Sequence, residues 1–269
     1  MAIHLYLLPV ALLLLLSSCE KVVYIDLNTS NPRPVVEADI TDQAGPYTVK
    51  LSRSVNYYDS NVFPPITDAT VSITDNAGNS ELLRQTTDGI YQTKALQGIP
   101  GRTYTLKIFY NGNEYDAIST MPDPVAIDSV GITKNSSGGN NRNNPGYSVT
   151  AFFNDPAGKT NYYRLQLSSN DTNAIDQTRY RLASDKLTDG SEMSITYNTK
   201  LLPNDSLTVR LGSVDKSSYD FLTTFRNVVG GSTGFLSAPP SNPVTNITNG
   251  GLGYFAAYPV SIRELIIQQ

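Results

Sequence analysis

The chain has 269 residues, with 20 Lys and Arg against 24 Asp and Glu, a net charge of −4, one histidine, one cysteine and no tryptophan. Mild acidity without a basic stripe is a poor match for nucleic acid, and 39% hydrophobic residues describe a chain that folds. His4 and Cys19 both sit near the N-terminus, so the rest of the chain holds no Ser-His-Asp or Cys-His mechanism and no zinc site of nitrogen and sulfur ligands.

Residues 1–18 contain no Lys, Arg, Asp or Glu, and Val10 to Leu16 is a continuous apolar run. That is the pattern of a secretory signal peptide, too short for a spanning helix. Its end, Leu16-Ser17-Ser18-Cys19, resembles a bacterial lipobox, in which the cysteine thiol takes a diacylglycerol after cleavage before it. Several acyl chains make a stable anchor, at about 0.8 kcal/mol per buried methylene. Cys19 is therefore the expected lipidation site and the attachment to the membrane; with no second cysteine it forms no disulfide within the chain. Glu20 stands where inner-membrane retention commonly has Asp, which points to the outer membrane, on its periplasmic or its cell-surface face.

From residue 19 to about 122 the pattern is that of short strands. Val36, Ala38 and Ile40 alternate with Glu37 and Asp39, and Tyr47, Val49 and Leu51 repeat the period of two. Val71 and Ile73 face inward before Asp75-Asn76-Ala77-Gly78, which is turn chemistry. Tyr104, Leu106, Ile108 and Tyr110 lead into Asn111-Gly112, a type I′ hairpin turn, and the chain returns through Tyr115. About eight such strands predict an immunoglobulin-like sandwich over residues 19–122. Pro122 and Pro124 mark a boundary, and a second β-rich domain is expected over 123–269. Residues 134–146 form a long Gly/Asn-rich loop.

One stretch departs from the strand period. Tyr219, Leu222, Arg226 and Val229, with Phe221, Phe225 and Val228 adjoining, recur near 3.6 residues and predict a helix over 217–229, capped by Ser217 and stopped by Gly230-Gly231. Its aromatic residues are expected to pack on a sheet rather than line a ligand site.

The glycine-rich stretch Asn249-Gly250-Gly251-Leu252-Gly253 lacks the Lys and Ser/Thr of a phosphate loop, and Pro259 follows instead of a helix. It predicts a tight turn feeding strands broken by a bend, with Gly253 allowing close backbone approach. Asn-x-Ser/Thr sites such as Asn246-Ile247-Thr248 read as polar loops.

Several stretches in this order resemble a lipoprotein family of Bacteroidota that carries domain of unknown function 4249: the lipobox, "YIDL", "PVVEADITD", "PGRTYTLKI", "PDPVAIDSV", "FFNDPAGKTNYYR" and "SNPVTNITNGGLGYFAAY". The resemblance runs from about Cys19 to Ile267. It implies no established activity, and it implies company with TonB-dependent outer-membrane transporters. The expected function is a lipid-anchored, non-enzymatic binding or accessory module that assists nutrient capture or import, with loops 134–146 and 231–250 as contact candidates. A structural or adhesive surface protein is the alternative. A hydrolase built on paired acids such as Asp155, Asp171 and Asp176 is a third reading, and it requires two carboxyl groups roughly 5–10 Å apart. No cofactor and no metal is expected.

Overall fold

The computed structural model describes residues 31–56, 62–135, 146–170, 180–229 and 242–268. Residues 1–18, Cys19, Asp171, Asp176 and the greater part of the two long loops lie outside them. The chain is mainly β, as expected. In order the elements are β1 (Pro34–Thr41), β2 (Thr48–Arg53), β3 (Thr70–Asp75), β4 (Ser80–Leu82), β5 (Arg84–Thr87), β6 (Ile90–Gln92), β7 (Thr103–Tyr110), β8 (Asn113–Thr120), β9 (Ser129–Lys134), β10 (Tyr147–Asn154), β11 (Tyr162–Ser169) and β12 (Tyr180–Ser184). Then come β13 (Glu192–Thr199), β14 (Ser206–Val214), helix α1 (Lys216–Val229), β15 (Leu252–Tyr258) and β16 (Val260–Ile266). The strands and the helix lie in one compact unit, Pro32–Val55 with Ser60–Gln269.

The four sheets form two sandwiches. The first pairs a five-stranded sheet, β15-β1-β2-β6-β5, with a four-stranded one, β4-β3-β7-β8. The alternating residues of the sequence fill its core: Val36, Ala38, Ile40, Val49, Leu51, Val71, Ile73, Leu106 and Ile108 are all buried. The predicted hairpin is present, with Asn111 at φ 49° and Gly112 at φ 76° joining β7 to β8. The second sandwich sets β13-β10-β9 against β12-β11-β14-β16 around Val149, Phe153, Tyr163, Leu165, Val209 and Leu211.

The boundary expected at 122 does not separate the sandwiches in chain order. β15 comes from the C-terminal part, yet it pairs in parallel with β1, Val36 opposite Gly253, and sends Phe255 and Ala257 into the first core. After Pro259 the chain turns into β16 and pairs with β14 of the second sandwich. The proline-rich segment between β8 and β9 is likewise built in: Met121 packs in the first core, Val125 and Ile127 in the second.

The glycine-rich stretch Asn249–Gly253 begins with a turn, as predicted. Asn249 and Gly250 take positive φ, and the Gly251 N–H donates to the Thr248 carbonyl at 3.1 Å. Gly253 is where backbones meet: a Cβ there would lie 1.9 Å from the Val36 carbonyl oxygen. Just upstream, Asn246 closes the outer edge of β15. Its side chain accepts from the Phe255 N–H at 3.0 Å and donates to the Phe255 carbonyl at 2.7 Å.

Helix α1 begins earlier than expected. Asp215, not Ser217, caps it, accepting from the Ser218 N–H at 2.9 Å and the Ser217 hydroxyl at 3.1 Å. A carboxylate serves this place better than a serine because it also accepts the Ser119 hydroxyl at 2.8 Å from β8. The buried face is also displaced: Ser218, Phe221 and Leu222 are buried, while Val229 is 68% exposed.

Candidate functional site

The first sandwich presents the outer face of its five-stranded sheet to α1 and to β11–β12. On β1, Val36, Ala38 and Ile40 face the core, so Val35, Glu37 and Asp39 face the other way. On β15 the same period sends Tyr254, Ala256 and Tyr258 outward, where they pack against α1 and the second sandwich. A strand buried on both faces needs apolar residues at successive positions, which accounts for Tyr254-Phe255-Ala256-Ala257.

Between these surfaces lies a cavity of about 560 Å³, within the size range of small-molecule sites. Phe221, Leu222 and Phe225 of α1 form one wall, and Val35, Leu252 and Tyr254 of the sheet the other. Phe221 stacks on Tyr254 with ring centroids 4.6 Å apart, and such a pair contributes about 0.5–1.5 kcal/mol beyond its burial. The helix aromatics therefore do both things: they pack on the sheet, as expected, and they line the cavity. Phe63, 57% exposed, and Phe225, 41% exposed, extend its apolar lining toward solvent. The Tyr180 hydroxyl fixes the helix by donating to the Leu222 carbonyl at 2.8 Å.

One cation borders this cavity deep in the protein. Arg164 of β11 is only 8% exposed. Its guanidinium lies 3.6 Å from Asp39 and donates to the Tyr258 hydroxyl at 3.3 Å. The rings of Tyr180 and Tyr258 sit 5.2 and 5.7 Å from its central carbon. Burial works against this charge, and the oxygens of Tyr258 and Asp39 outweigh it, so Arg164 stays a cation. Burial pushes the Asp39 carboxyl above its usual range, against the pull of Arg164 and of the Tyr254 hydroxyl 3.1 Å away. Burial, with Asp39 next, raises Tyr254 well above an ordinary tyrosine, so it is a donor at neutral pH. Arg164 Nε remains buried with no hydrogen-bond partner, an arrangement that costs about 1–3 kcal/mol or more unless something fills it. The lining also holds Glu37, paired with Lys50 at 3.0 Å.

Of the residues singled out in the sequence, Cys19, Asp171 and Asp176 lie outside the described residues. Asp155 lies away from the cavity, beside Asp185 and Asp189. Arg164, Asp39, Tyr180 and Tyr258 were not legible as a site. Each stands at a strand position whose side chain faces away from its own sandwich core, which in sequence reads as a solvated face. No curated protein matches the chain. A family model described as "Domain of unknown function (DUF4249)" matches residues 20–264, so the chain belongs to that family.

Proposed function

We propose that this protein is a lipid-anchored binding module of the outer membrane, held by acyl chains on Cys19, that captures a small ligand for a TonB-dependent transporter. The observation that carries the reading is the aromatic-walled cavity with Arg164 at its buried side. An apolar wall with a few fixed polar groups is the usual make-up of a ligand site. The ligand that fits has an apolar body and a carboxylate or similar acceptor for Arg164 Nε. Binding rather than hydrolysis is favoured because, among the described residues, Glu37 is the one carboxylate of the lining and is tied to Lys50, whereas paired-acid chemistry uses two carboxyl groups across the scissile bond. The test is recovery of the C-terminally tagged protein from detergent-solubilised outer membranes, with mass spectrometry of what accompanies it. A stoichiometric TonB-dependent transporter is the expected companion. A protein recovered alone, with transporter-dependent uptake unchanged on gene deletion, contradicts the reading and favours a structural or adhesive role.

A further inference from the structure

The second sandwich carries a group of acids that the cavity does not use. Asp155 follows β10, Asp185 follows β12, and Asp189 stands in the turn before β13. One carboxylate oxygen from each lies within 4.8 Å of the others. Asp155 is 6% exposed and already held on both oxygens. Its Oδ1 accepts from the Tyr163 hydroxyl and the Asn161 side-chain amide, and its Oδ2 accepts from the Gly190 N–H at 2.9 Å. Asp189 is exposed and accepts from the Gly158 N–H at 2.9 Å. Among the described residues, no Lys or Arg pairs with any of the three.

Asp185 is the telling member. It is fully buried, at 0% exposure. Its Oδ1 accepts from the Asn161 N–H at 2.8 Å, but its Oδ2 is buried and has no donor. A buried carboxylate oxygen without a donor, beside two further carboxylates, is costly unless a cation or a shared proton meets it. Oxygen-only ligands suit hard divalent cations. The donors that hold Asp155 and Asp189 restrict their orientation, as outer partners do for metal-binding carboxylates.

We propose that Asp155, Asp185 and Asp189 form a divalent-cation site of calcium type, which clamps the turn between β10 and β11 to the turn between β12 and β13. Asp189, on the solvent side, leaves room for water to complete the coordination. The site does not depend on the cavity or on its ligand.

The experiment uses the chelator-treated protein and two readouts: the melting temperature with added calcium chloride, and terbium emission excited through tyrosine, Tyr163 being hydrogen-bonded to Asp155. In the wild type, calcium raises Tm, terbium emission appears on excitation of tyrosine, and calcium quenches it. Asp189→Asn, at an exposed position, weakens calcium binding about tenfold or more. Asp185→Asn abolishes both responses. Two results overturn the proposal. One is a wild type whose Tm ignores millimolar calcium and which gives no terbium emission. The other is an Asp185→Asn protein more stable than the metal-free wild type while wild type ignores calcium, which assigns the orphan oxygen to a proton shared with Asp155.

Discussion

Arg164, on β11 of the second sandwich, lies 3.6 Å from Asp39, on β1 of the first. Breaking a pair like this costs more than the pair is worth, because one charge remains unmatched in a desolvated place. Arg164→Met is therefore expected to cost about 3–5 kcal/mol, at the lower end because Asp39 is only half-buried. The double variant Asp39→Asn with Arg164→Met recovers a large part of that loss. Urea denaturation of the four proteins of the cycle measures the coupling.

Asp215 holds two things at once, the first turn of α1 and the Ser119 hydroxyl of β8. Ser119 in turn accepts from the Ala257 N–H at 2.8 Å. Asp215→Ala is expected to cost about 2 kcal/mol, the upper end for a helix cap. Ser217→Ala costs about 0.5 kcal/mol or less, since Ser217 is not the cap. Thermal melts of the two variants separate these outcomes.

Two glycines of one stretch predict different losses. A Cβ on Gly253 meets the Val36 carbonyl oxygen at 1.9 Å, so Gly253→Ala forces β15 off β1 and is expected to prevent folding or cost several kcal/mol. A Cβ on Gly250 meets nothing within 4 Å, and only its φ of 77° resists. Gly250→Ala then costs about 1 kcal/mol. Yield of folded protein and denaturation midpoints check both.

Those glycines also show what a sequence carries. Asn111-Gly112 and Asn249-Gly250 announce their turns because so few residues accept positive φ. Period-two runs such as Val36, Ala38 and Ile40 name their strands and core faces. The parallel partnership of β1 with β15 is not legible, since a period tells which side faces in and never which strand lies alongside. The site was hidden for the same reason. Asp39 and Arg164 sit at outward positions, and only the apposition of the sandwiches takes Arg164, and part of Asp39, out of water. The helix was legible, but its cap was misplaced by two residues because Ser217 is a good cap locally and the pull of Ser119 on Asp215 is tertiary.

Asp75 predicts a specific pH response. It accepts from the Ala77 and Asn79 N–H groups at 3.0 and 2.9 Å, from the Asn79 side chain, and from Arg102. Burial works to raise its pKa, and these donors outweigh it, bringing the carboxyl down to about 2. Because the folded value lies below the unfolded one, the stabilisation is complete above about pH 4 and is lost as the pH falls toward 2. Asp75→Asn is less stable than wild type at neutral pH, and the difference shrinks as acid protonates the wild type. Denaturation midpoints at several pH values test the sign.

If the cavity with Arg164 at its buried side is the ligand site, a binding titration detects it. The probe is anilinonaphthalene sulfonate, an aromatic body with an anionic group, added to the folded protein. Saturable one-to-one fluorescence is expected in the wild type. Phe225→Ala weakens it by removing wall, and Arg164→Lys weakens it about tenfold by keeping a cation while removing Nε–H, with circular dichroism unchanged in both. No saturable binding, or the same affinity in all three proteins, would contradict the assignment of the cavity as the ligand site.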